Sequence, residues 1–90
     1  MQLNWQAQRQ QLENLRQLQK LRYAQADVAE TLQRQENTRF QAGDSDQFLL
    51  NARETNAGRA RLAAIQASVD VLRQELELMA MSGQLATGAP

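Results

Sequence analysis

The chain reads as an all-α protein, an antiparallel two-helix coiled-coil hairpin, and three observations predict it. Two stretches of nearly equal length, rich in Gln, Leu, Arg and Ala, flank one short turn at Gln41-Ala42-Gly43-Asp44-Ser45-Asp46. The second stretch carries apolar residues at coiled-coil spacing. Aromatic residues make up only 4% of the chain and the single proline is Pro90, so little here resembles a sheet-forming sequence.

The first arm, about residues 4–41, contains neither proline nor glycine, and its residues are good helix formers. A helix of about 38 residues would extend roughly 57 Å. The turn, 42–45, follows where a helix should end: Gly43 can take the left-handed conformation that closes a C-terminus. Asp44, Ser45 or Asp46 can then cap the next helix, and Asp44 with Gln47 three residues on has the spacing of a capping box. The second arm, about 46–82, stops near Ser82-Gly83. Residues 1–83 thus form the hairpin, and 84–90 are expected as a flexible tail.

In the second arm Leu62, Ile65, Val69, Leu72, Leu76 and Met79 are spaced three and four residues apart in alternation, as in a coiled-coil seam. A chain reversal at Asp44 would set Leu12 opposite Leu76, Leu15 near Leu72, Leu18 beside Val69, Ala26 across from Leu62 and Phe40 across from Phe48. A second stripe of smaller residues runs through Ala60, Ala63, Ala67, Val71 and Leu78. A helix with two apolar stripes has more to bury than one partner covers, so either further hairpins pack alongside, or the stripes are one broad core face or the extra seam of a dimeric four-helix bundle. Self-association or a larger parent protein is also expected from size, since below roughly 70–80 ordered residues one core contributes only a few kcal/mol.

Apolar residues concentrate far from the turn. The near-tip stretches Gln33–Arg39 and Arg53–Asn56 are almost wholly polar, and burial alone would leave that end the more mobile one unless neighbours hold it. They suit a solvated surface with pairs such as Glu30 to Arg34 and Glu36 to Arg39. Gly58 costs the second helix roughly 1 kcal/mol relative to Ala and is read as a mark of close helix approach. Phe40 and Phe48 are expected to clamp the arms above the turn, and Trp5 to cover the open end near Met79 and Met81.

Composition narrows function. Ten acidic and ten basic side chains cancel with no basic run, which removes the attraction that nucleic acid or an anionic membrane surface needs. The chain has no His and no Cys, so the commonest catalytic and metal-ligating groups are missing. Asp44 and Asp46 sit together at an exposed turn, where capping is the simpler role and the ligand set of a calcium loop is lacking. No phosphate-cradling glycine loop and no aromatic platform for bases is present. No enzyme activity, cofactor, metal or nucleic-acid partner is therefore expected. The N-terminal residues lack a secretory-signal pattern, so the chain reads either as untargeted or as a piece of a longer, processed protein.

The segment from Arg39 to Glu54 resembles the TolC-like outer-membrane efflux proteins, and the resemblance extends over about Leu12 to Gly83. Members of that family show an aromatic residue, two spacers and Gly, here Phe40 and Gly43, followed by a Ser- or Asp-containing stretch, here Asp44-Ser45-Asp46. A hydrophobic pair with Asn or Asp and a small residue comes next, here Leu49-Leu50-Asn51-Ala52. Alanine-rich heptads from Ala60 to Ala67 follow, and Leu78-Met79-Ala80-Met81-Ser82-Gly83 is similar to the family's C-terminal helix end.

The resemblance implies the second, C-terminal hairpin of an outer-membrane channel component of a tripartite efflux or type I secretion system. Such a hairpin forms part of the periplasmic α-barrel of a homotrimer and docks a periplasmic adaptor, or membrane fusion protein, through its turn. The localisation implied is the periplasmic portion of an outer-membrane protein. Carried over residue by residue, Gly43, Asp44, Ser45 and Asp46 would face the adaptor, supported by Phe48, Leu49 and Leu50. Where some members carry acidic side chains at the tunnel entrance, this chain has Phe48 or Leu49 and Asn51, so an acidic, cation-selecting aperture is not implied. The competing reading from the residues alone is an autonomous coiled-coil scaffold or chaperone module that dimerises into a four-helix bundle.

Overall fold

A computed structural model describes the backbone of residues 2–87 and the side chains of residues 5–83. Two helices, α1 (Gln2–Gln41) and α2 (Gln47–Thr87), lie antiparallel as a coiled-coil-like hairpin, and no strand occurs among the described residues. The rod measures 68 × 21 × 14 Å. α2 continues through Ser82 and Gly83 to Thr87, beyond the expected end near residue 82. A helical glycine costs only about 1 kcal/mol, so Gly83 does not stop a helix unless the backbone also reverses there. Residues 88–90 of the expected tail lie outside the described residues.

The reversal happens at Gly43, whose φ of +85° is the only positive value among the described residues. Gly43 N donates to Phe40 O at 3.0 Å and Asp44 N donates to Arg39 O at 2.8 Å. These are the two bonds of a Schellman motif, which satisfies the last carbonyls of α1. Asp46 starts α2: its Oδ1 accepts from Leu49 N at 2.8 Å and its carbonyl from Leu50 N at 3.1 Å. The capping box read into Asp44 and Gln47 does not form. Gln47 Nε2 instead donates to Asn51 Oδ1.

Both helices turn inward a series at strict three-four spacing. In α1 it runs through Gln8, Leu12, Leu15, Gln19, Arg22, Ala26, Ala29, Gln33, Glu36 and Phe40, all buried or half-buried. In α2 it runs through Leu50, Arg53, Ala57, Ala60, Ala64, Ala67, Val71, Gln74, Leu78 and Met81. The bonds Gln19–Ser68, Arg61–Glu30 and Gln74–Gln8 and the ion pair Arg53–Glu36 fix the register. Ala26 and Ala64, both at 0% exposure, fall abreast near the middle.

The face of α2 therefore differs from the one expected. Leu62, Ile65, Val69, Leu72, Leu76 and Met79 point away from α1, 46 to 67% exposed. The expected pairings of Leu12 with Leu76, Leu15 with Leu72, Leu18 with Val69, Ala26 with Leu62 and Phe40 with Phe48 are not made, since each of those α2 side chains is exposed. The physical reason lies in α1. Its inward series brings long side chains, Gln19, Arg22, Gln33 and Glu36, which fit between helices only where the opposite helix is small. The alanine stripe of α2 provides that room. Its large apolar stripe does not.

Trp5 and Met81 are half-buried at the open end, whereas Met79 is exposed. A Cβ added at Gly58 would meet nothing within 4 Å, so this glycine does not mark a close approach of α1 and α2.

Candidate functional site

The hairpin tip is built around one buried carboxylate. Glu36 occupies an inward position one turn before Phe40 and is only 4% exposed. Its Oε2 accepts from Ser45 Oγ of the turn and lies 3.7 Å from Arg39 Nη1, while its Oε1 lies 3.9 Å from Arg53 Nε of α2. A single side chain thus ties α1, the turn and α2 together. Arg39 also donates from Nη2 to Asp44 O at 3.2 Å, closing the network over the turn. Arg53 Nε is buried with no hydrogen-bond partner, so the ion pair with Glu36 is what offsets its desolvation.

Against this frame the sequence-predicted contact residues separate. Gly43 makes the reversal, Ser45 is held by Glu36 and Asp46 caps α2, so all three are committed to the turn itself. Leu50 is buried at the first inward position of α2 and Leu49 is half-buried. Asp44 is exposed, and its carboxylate makes no bond among the described residues. Phe48 is 83% exposed and does not clamp the arms against Phe40. The tip thus presents to water one large apolar ring, Phe48, and one carboxylate, Asp44.

A second polar cluster sits halfway along the rod. Arg61 of α2 donates to Glu30 through Nε at 3.0 Å and Nη2 at 2.5 Å, lies 3.4 Å from Asp27 Oδ1, and stacks 5.7 Å from the Tyr23 ring centroid. The hydrogen bonds from Arg61 hold the Glu30 carboxyl below its ordinary pKa, helped by the charges of Arg61 and Arg34 and opposed by partial desolvation. The same bond to Glu30 raises the Arg61 guanidinium. Glu30 thus pairs across the hairpin with Arg61 rather than along its own helix with Arg34; Glu36 and Arg39 do meet as i,i+3 neighbours. Tyr23 Oη and Gln19 Nε2 both bond Ser68 Oγ, adding a further cross-helix tie.

Glu36, Arg53 and Arg61 were not singled out as bracing residues from sequence. For Glu36 a signal existed: it falls on the three-four series through Ala26, Ala29, Gln33 and Phe40, where a carboxylate must find partners. A surface groove of about 350 Å³ beside the seam, bordered by Val28, Leu32 and Arg53, is an open cleft between the two helices. No group of three potential metal ligands occurs among the described residues, and no described helix is long and apolar enough to cross a membrane. Comparison with known protein families, curated proteins and solved structures finds no match to this chain.

Proposed function

We propose that the chain is a docking hairpin of an outer-membrane channel component in a tripartite efflux or type I secretion system. In this reading its rods form part of a periplasmic α-barrel and its turn receives a periplasmic adaptor. The observation that carries the reading is the tip. A turn braced by Schellman bonds and by Glu36 leaves Phe48 83% exposed and Asp44 in water. An aromatic side chain held rigidly in water is costly for solubility and suits an anchor that a partner's apolar socket covers. The outward stripe on α2 supports the wall role, because a stave needs apolar surface on the side facing its neighbours.

The test is capture of the adaptor encoded in the same genome by the immobilised chain. Phe48→Ser and Asp44→Arg are expected to weaken capture by at least about tenfold, or about 1.4 kcal/mol, while circular dichroism stays unchanged, since neither side chain braces the fold. Capture unaffected by both substitutions would remove the tip from the docking role.

A further inference from the structure

Gly58 stands well inside α2, where neither conformation nor packing calls for glycine. Its φ is not positive, and a Cβ there would meet nothing within 4 Å. What the residue does contribute is a weak point, since a glycine in a helix interior lowers helix stability by roughly 1 kcal/mol relative to Ala. Gly83, the other helical glycine, lies near the end of α2.

α1 is weakened at the same height. The ties Glu30–Arg61 and Glu36–Arg53 set Gly58 level with Leu32, next to Thr31. Thr31 Oγ1 donates to Asp27 O at 2.9 Å, a bond that competes for the carbonyl one turn back and bends helices. Thr38 and Ser68 make the same bond, to Arg34 O and Ala64 O, but Thr38 lies within the braced tip and Ser68 is held across the hairpin by Gln19 and Tyr23. Only Thr31 stands level with a glycine in the helix opposite.

Nothing polar locks the helices together there. Among the described residues no hydrogen bond or ion pair joins residues 31–35 of α1 to residues 54–60 of α2, whereas Glu30 and Arg61 hold the base side and Glu36, Ser45 and Arg53 hold the tip side. The inward side chains of α2 in that stretch are Ala57 and Ala60, and the open cleft of about 350 Å³ beside Leu32, Arg53 and Asn56 leaves room for side chains to shift. We propose that the hairpin flexes at Thr31 and Gly58, so that residues 33–57 swing as one braced body while both arms stay helical. A bend of about 20° would carry the turn, roughly 17 Å beyond the hinge, sideways by roughly 6 Å. The hinge redirects the tip without loosening the turn.

Residual dipolar couplings of the backbone amides in the weakly aligned chain test this, fitted separately for the tip, residues 33–56, and for the base, residues 8–29 with 60–81. Each segment is expected to fit one alignment tensor, with the tip tensor the smaller. Gly58→Ala combined with Thr31→Val should bring the two tensors to the same magnitude. Gly58→Ala alone should slow amide exchange at residues 58–62 by about fivefold, the equivalent of the roughly 1 kcal/mol that alanine adds to a helix. Equal tensors in the unmodified chain overturn the inference, because the hairpin is then one rigid rod. Tip couplings that fit no single tensor overturn it as well, because the tip then loosens internally instead of swinging. A smaller tip tensor that survives the double substitution removes Thr31 and Gly58 from the role. Adaptor capture does not enter the measurement.

Discussion

The inner and outer faces of α2 share one spacing and carry opposite chemistry. Inward stand Ala57, Ala60, Ala64 and Ala67 with Val71 and Gln74; outward stand Leu62, Ile65, Val69, Leu72, Leu76 and Met79. A simple hydrophobic ranking would bury the outer set first. The hairpin buries the smaller one, because α1 supplies the bulk from its own side and leaves only alanine-sized space. Which of two seams closes a hairpin is thus decided by the volume of the opposite helix, and the seam left over remains for contacts between molecules.

The sharpest way to break this comparison is to exchange volume at adjacent positions on the two faces. Ala64→Leu inserts three heavy atoms where exposure is 0%, and overpacking of this kind should cost about 1–3 kcal/mol in chemical denaturation. Ile65→Ala, one residue on, should change the stability of the dilute monomer by no more than about 0.5 kcal/mol. Equal losses at the two positions would show that the faces do not differ as described.

The tip and the base of the rod differ in a related way. Near the base the inward layers hold Leu12, Leu15 and Leu78, whereas near the tip they hold Glu36 and Arg53 with Phe40 and Leu50 at the turn itself. Removing the carboxylate with Glu36→Ala strips Ser45 of its acceptor and Arg53 of its counter-charge. The expected cost is about 1–3 kcal/mol, with faster amide exchange concentrated at residues 39–50. Glu36→Gln should lose less, since its amide oxygen still accepts from Ser45. A uniform loss of protection along the whole rod in Glu36→Ala would argue that the carboxylate is not a local brace.

The two helices and the Gly43 reversal were legible because each rests on a local rule: uninterrupted helix formers, a left-handed residue that glycine alone takes cheaply, and a capping residue among Asp44, Ser45 and Asp46; the end of α2 was not, since Gly83 continues the helix instead of reversing it. The face was not, because spacing alone pairs Leu12 and Leu15 with the leucines of α2, whereas the volume of Gln19, Arg22, Gln33 and Glu36 admits only the alanine stripe. Phe48 falls on the same outer series as Leu62 and Leu76 and stays in water with them. The braces at Glu36 and Arg61 link residues distant in sequence, so spacing within one helix could not reveal both partners.

The mid-rod cluster offers the gentlest probe of how the inner face is held. Arg61 hydrogen bonds keep the folded Glu30 carboxyl below its ordinary pKa, and the pair is solvent-accessible, so its effect on stability is small. A carboxyl whose folded pKa is depressed contributes stability that is fully present above its unfolded pKa and is lost as pH falls through the lowered folded value. Thermal unfolding of the chain should therefore lose the Glu30 contribution on acidification from the ordinary carboxylate range downward. Other acids titrate in the same window, so the informative quantity is the difference from Glu30→Gln: the gap between the two melting temperatures should be present at neutral pH and close in acid. A gap that persisted unchanged at low pH would mean that Glu30 is held by shape rather than by the charge of Arg61. The cross-helix tie would then belong to Ser68, Gln19 and Tyr23, which carry no titrating carboxylate.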